Sequence, residues 1–214
     1  IILTYMFEGN ILDSFLRLKG IDVIPFTEVE IDTVDKSKLR ELITLTPPNT
    51  KLYKYSLSSS WYKSKATSKD INEVSKYIRN VCLQSDVESK DVSWCVPKDR
   101  VEKTTKVNKS LVKPNGFTKD SDNKPCYLSA TMRATNLYKH KKVMVHCYDR
   151  YPHISVTSYL QDFGVAVDSQ VFALSELLQW AWRGCIRADE PMTLAIGSKR
   201  MYNLFKEWLE KDDE

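Results

Sequence analysis

Glycine is scarce in this 214-residue chain, at 6 residues. That scarcity argues against collagen-like, propeller and glycine-rich β architectures. No uninterrupted apolar run approaches the length of a bilayer-spanning helix, so no membrane partner is expected. The five cysteines are odd in number, contain no C-x-x-C and have mostly apolar neighbours. They read as reduced, buried thiols of a cytoplasmic protein. His146, Cys147 and His153 fit no standard zinc spacing, so no metal site is assigned. The first seven residues lack a basic region and an initiator Met and do not read as a signal peptide. Ile1–Tyr5 reads instead as a core strand entered mid-chain, in a piece of a longer protein. Also missing are a phosphate-cradling G-x-x-x-x-G-K-S/T loop, an acidic strand-end motif for magnesium, a nucleophile elbow and H-E-x-x-H. The chain alone therefore does not hold a complete NTPase.

What is present is globular. Hydrophobic residues make up 42% and charged residues 28%, which excludes wholesale disorder. The net charge of +4 is a mild pointer to a polyanionic partner. Short apolar runs alternate with amphipathic stretches, the pattern of an α/β domain. Asn10–Lys19 reads as a helix with Ile11, Phe15 and Leu18 on one face and Gly20 as its stop. Ile21–Ile31 reads as extended and Lys36–Ile43 as a short helix. Thr46–Ser68 is rich in Ser, Lys and Tyr and reads as a hairpin or long loop with Trp61 and Tyr62 exposed. A helix follows through Gln84, then a strand within Asp91–Val96. Pro97–Lys124 is polar and aperiodic, an expected exposed insertion. Cys126–Ala130, Val143–Tyr148 and Met192–Ile196 read as strands. Ile154–Phe163, Ser169–Arg187 and Ser198–Glu210 read as helices. Residues 1–68 are expected to form a junction region and linker, and 69–214 the main domain, with its insertion near 97–124.

The helix expected over Ser169–Arg187 is the most informative stretch. At about 100° per residue, Glu176, Gln179, Arg183 and Arg187 share one narrow sector of an otherwise apolar wheel. Such a stripe can simply meet water. It can also be an anion site, because guanidinium forks suit phosphate and lysine would serve a merely solvated face as well. The stretch from Cys126 to Asn136 ends in Ser129, Thr131, Arg133, Thr135 and Asn136, which is either an ordinary polar turn or a phosphate-holding strand end. Lys98 and Arg100 follow a strand end, suited to a phosphate backbone or to open surface. Trp61 and Tyr62 beside Lys63 and Lys65 either stack on bases or pack back on their own domain.

In this order, these pieces resemble the second RecA-like domain of a superfamily-two helicase of the DEAD/DEAH-like kind found in phages and bacteria. Arg133-Ala134-Thr135-Asn136 resembles the fifth motif of that family. Phe172–Arg187 resembles the sixth, the arginine-finger helix. The strand at Val92–Val96 with Lys98 corresponds to the fourth, and Leu3-Thr4-Tyr5-Met6 to the third. The sixth motif departs from the family's Q-x-x-G-R-x-x-R: no Gly precedes Arg183, and one extra residue separates Arg183 from Arg187. Which arginine reaches the γ-phosphate is therefore open.

The resemblance implies a RecA-like sheet flanked by helices and the C-terminal motor domain of an ATP-dependent helicase or translocase. ATP and Mg2+ would be held jointly with an upstream RecA-like domain, with Gln179, Arg183 and Arg187 completing the ATP site. Arg133, Thr135, Asn136, Lys98, Arg100 and Trp61 would meet nucleic acid, single-stranded DNA in preference to RNA. The isolated chain is then expected to be inactive as an ATPase. The rival is a non-catalytic nucleic-acid-binding or scaffold domain that kept the fold. A nuclease would need a carboxylate cluster, and none is apparent.

Overall fold

A computed structural model describes residues 6–24, 35–102, 110–132 and 136–211. Its centre is a four-stranded, all-parallel sheet in the order β1-β4-β3-β2, formed by β1 (Ile43–Leu45), β2 (Val92–Cys95), β3 (Val143–His146) and β4 (Met192–Ile196). Every residue of β2 and β3 is buried, as a parallel sheet covered on both faces requires. Alternate side chains divide between two cores, following the two-residue period of a strand. Cys95, Met144, Leu194 and Ile196 join the core beneath α2 (Lys36–Leu42), α5 (Ser169–Ala181) and α6 (Lys199–Glu210). Val92, Trp94, Val143, Val145 and Ala195 join the core beneath α3 (Ser68–Gln84). This is an α/β Rossmann-like architecture, as the alternation of apolar runs suggests. No helix among the described residues is long and apolar enough to cross a membrane.

Helix starts follow local chemistry. Asn10 caps α1 (Ile11–Leu18), accepting from the Leu12 and Asp13 N–H groups at 2.9 and 3.0 Å. Thr67 and Asp70 form a reciprocal capping box at α3. Asp168 caps α5 and Ser198 caps α6. α4 (Ile154–Asp162) ends at Gly164, whose φ of +75° is the left-handed turn expected there.

Several expectations need correction. The long helix ends at Ala181, six residues before Arg187. Gly184 sits so close to the start of β3 that a Cβ would meet the Lys141 carbonyl oxygen at 3.0 Å. That carbonyl takes the Cys185 N–H, also at 3.0 Å, and holds the chain in a separate 3-10 turn, Cys185–Ala188. Arg183 and Arg187 therefore share no helical stripe. Trp61 and Tyr62 are buried, not exposed, on a π-helical turn (Trp61–Lys65). The stretch 97–124 is not simply an exposed insertion: Arg100, Val112 and Phe117 are buried in it. Cys126–Ala130 runs along β2 but bridges it only at Tyr127, opposite Trp94. The short helix stops at Leu42, and Ile43–Leu45, within the stretch assigned to the junction region, is the sheet's edge strand. Ile1–Tyr5, Arg133 and Thr135 lie outside the described residues, as does most of Ile21–Ile31.

Candidate phosphate-binding cleft beside α5

A cleft of about 1040 Å³ runs along the flank of α5, closed by α1, α4 and the turn at Ala130–Met132. Arg150, Ser175, Glu176, Gln179 and Arg183 line it with polar groups, and Phe15 of α1, Val156 and Tyr159 of α4 and Phe172 of α5 add apolar surface, with Arg150 Cζ 6.0 Å from the Phe172 ring.

Gln179 and Arg183 reach the cleft because Trp180, between them, faces the core. Trp180 is fully buried and donates its indole N–H to the Leu128 carbonyl at 3.1 Å, which sets the rotation of α5. Arg150 comes from the loop after β3. That loop is anchored by Asp149, which is buried and accepts from Arg200 Nε and Nη2 at 3.0 and 2.8 Å. Arg200 also donates to the Arg150 carbonyl. Burial raises the Asp149 pKa, with the Arg200 guanidinium pulling the other way.

Arg150 pairs with the carboxylate of Glu176. Arg150 Nη2 donates to Glu176 Oε2 at 2.6 Å. Burial works against the Arg150 charge, but Glu176 and Tyr148 hold its pKa above the ordinary arginine value. Burial pushes Arg183 below that value, with Glu176 opposing. Arg150 Nε and Arg183 Nη1 are buried N–H groups without a hydrogen-bond partner. Beneath the cleft lies His146, fully buried, its ring 5.0 Å from that of Trp180.

A second cleft, of about 780 Å³, lies across the same turn: Thr131 and Met132 line both. It holds Lys90, Lys98, Lys124 and Lys141 together with Glu102, Asp120 and Asp122. Lys98 is exposed and 3.7 Å from Glu102. Asn136 is exposed at the start of the turn that carries Leu137 and Tyr138 into this cleft.

The expected site residues thus divide. Gln179 and Arg183 meet in the α5 cleft and Lys98 lies in its neighbour, while Arg187 is exposed and lines neither. Arg100 is buried and spends its guanidinium on the Tyr62 and Ser110 carbonyls. Trp61 is packed against Tyr55 and Tyr62, with ring centroids 5.1 and 4.8 Å away. Neither presents itself to a strand of nucleic acid. Arg150 and the pairing of Glu176 escaped the sequence reading. The available signal was the strand-end position of Arg150, four residues beyond β3.

The family profile described as the YonV C-terminal Rossmann-like domain matches residues 37–209. The chain is 27% identical over 226 residues to the SPbeta prophage-derived uncharacterized protein YonV of Bacillus subtilis (strain 168). That alignment covers 97% of this chain and 51% of that protein, so the chain spans about half the length of its curated relative. No solved structure matches it.

Proposed function

Since the chain belongs to the YonV C-terminal Rossmann-like domain family, we propose that it is the arginine-bearing half of a nucleotide-driven nucleic-acid motor of phage kinship. The observation that carries this reading is the convergence of Gln179, Arg183 and Arg150 on one cleft. Preorganised cations in a partly dry cleft stabilise charge that develops on a transferring phosphoryl group. Arg183 is the better finger, because Arg187 lies outside the cleft. The residues suit the phosphates of ATP. They do not suit Mg2+: among the described residues no group of three or more His, Cys, Asp or Glu gathers as a metal site, and Glu176 is held by Arg150. The magnesium ligands and the phosphate-cradling loop would belong to an upstream domain, so this chain alone would not turn ATP over. The neighbouring cleft, with Lys98, would follow the phosphate backbone of a single strand, DNA in preference to RNA.

The test is ATP turnover in the full-length protein, with thermal melting as the check on folding. Arg183→Ala should lower turnover by about 10²-fold or more. Arg183→Lys should recover little, because an ammonium lacks the guanidinium fork. Arg187→Ala should stay near wild type, as exposed substitutions do. Undiminished turnover in Arg183→Ala would pass the reading to the non-catalytic rival.

A further inference from the structure

α1 is turned inside out. A surface helix normally buries its apolar face and leaves its polar face to water. Here Asp13 and Ser14 are 4% and 2% exposed, while Leu12 and Phe15 are 42% and 41% exposed. Polar contacts hold the buried face: Ser14 Oγ donates to the Ala166 carbonyl at 3.0 Å, and Asp13 accepts from the Gly9 N–H and from Arg17 Nε, each at 2.8 Å. α4, against which α1 packs, also turns apolar side chains outward. Leu160 is the one residue of α4 that is buried, whereas Ile154 is 75% exposed and Val156 and Tyr159 are exposed beside it. Phe163, just past the end of α4, is 59% exposed.

The two helices together present apolar surface with little charge: Asp162 is the only charged residue of α4. Among the described residues, the large hydrophobic side chains left exposed fall on α1, on α4 or in the segments flanking them, apart from Leu83 and Leu137. A concentration of that kind marks an interface, whose core is poor in charge and rich in aromatic residues. Its position indicates what covers it. Leu12, Phe15, Val156 and Tyr159 also line the α5 cleft, so a domain seated on this face borders the cleft that holds Arg183. The proposed function takes the magnesium ligands and the phosphate-cradling loop from an upstream half of the full-length protein. That half has to stand beside Arg183 to bring a phosphate to it. The Bacillus subtilis relative is about twice as long as the part it shares with this chain, which leaves room for such a half.

We propose that the apolar face of α1 and α4 is the docking surface for the upstream half of the full-length protein. This rests on reading the α5 cleft as half of a nucleotide site. A second copy of this chain would cover the same surface but would not complete that site. It has no phosphate-cradling loop, and among its described residues no acidic cluster for Mg2+.

The test is thiol labelling. All five native cysteines are buried, so a cysteine introduced on the face is the thiol that reacts readily. Ile154→Cys and Phe163→Cys are made singly, in this chain and in the full-length protein, and treated with a small maleimide. Leu83→Cys, on α3 and half exposed, is the reference away from the face. The three substitutions should leave the melting of this chain unchanged, as exposed changes do. In this chain all three thiols should react rapidly. In the full-length protein Ile154→Cys and Phe163→Cys should react at least about tenfold more slowly, while Leu83→Cys keeps its rate. Equal rates in the two proteins overturn the proposal, and so does an equal slowing of Leu83→Cys. Slow labelling in this chain itself overturns it by showing that its own segments cover the face. Slowing that appears as this chain is concentrated overturns it in favour of a second copy. Turnover of Arg183→Ala tests the proposed function separately, so the two failures are told apart.

Discussion

His146 shows how burial alone can set a chemical property. It ends β3 with 1% of its surface exposed, and its Nδ1 has no hydrogen-bond partner. Burial, with the nearby Arg150 charge adding to it, pushes its pKa down to about 3. The folded imidazole is therefore neutral throughout the physiological range, while the unfolded one takes a proton near pH 6.5. Between those values the unfolded state binds more protons, so stability rises with pH and is lost as pH falls. Unfolding free energy should drop by up to about 1.4 kcal/mol per pH unit between about pH 6 and pH 4. His140, also lowered by burial, acts in the same direction. Urea denaturation across this range should show the slope, and His146→Leu should flatten most of it. An equally steep slope in that variant would assign the acid sensitivity elsewhere. Asp70 and Asp13, whose pKa values lie below the ordinary carboxylate value, act at lower pH. Asp149, raised by burial, protonates earlier in the folded state and opposes the slope at the acid end of the window.

The end of α5 depends on one close approach. Gly184 has a φ of −76°, which any residue adopts, so its need for glycine is steric. A Cβ there would meet the Lys141 carbonyl oxygen and Met192 Sδ at 3.0 Å and Met144 Cγ at 3.2 Å. The carbonyl belongs to backbone that leads into β3 and cannot give way as a side-chain tip can. Gly184→Ala should cost about 1–3 kcal/mol, the usual range for overpacking. For a domain of this size that is a fall in melting temperature of about 3–10 °C. Because Arg183 precedes this glycine, the same change should reduce pyrophosphate binding in the α5 cleft. An unchanged melting curve would show that the helix end can relax. The periodicity of residues 169–187 gave no warning of this break. Ile186 continues the apolar pattern past Gly184, and the Lys141 carbonyl that stops the helix lies 44 residues upstream of Cys185, whose N–H it accepts.

Taken whole, the molecule carries its positive charge unevenly matched. In the lysine cleft Lys90, Lys98 and Lys124 stand among three carboxylates, and the buried Lys141 directs its amine to the Lys90 carbonyl, so little positive charge is left over for a nucleic acid. Single-strand binding should therefore be weak and have a shallow slope of log K against log salt. Lys98→Ala should lower that slope by about 1 and weaken binding alike for all sequences, as loss of one phosphate contact does. Titration at several salt concentrations checks this. A slope unaffected by Lys98→Ala would remove this cleft from the nucleic-acid path.

The α/β class, the three longer strands and the main helices were legible along the chain, because burial on both faces and on one helical flank leaves periodic apolar patterns. Thr67, Asp168 and Ser198 stand where helices begin for equally local reasons. β1 was not legible: three residues are too few to display an alternation, and they continue the apolar register of α2. Trp61 and Arg100 sit among polar neighbours, so local composition suggested exposure, whereas contacts with Tyr62, Ser110 and the core bury both. The arginine site was half visible. Gln179 and Arg183 declared themselves by residue type and spacing, but Arg150 and its bond to Glu176, 26 residues away, did not. A guanidinium is available to a ligand only if nothing else in the fold has claimed it. That is settled by contacts between distant segments, to which a periodicity of two or 3.6 residues is blind.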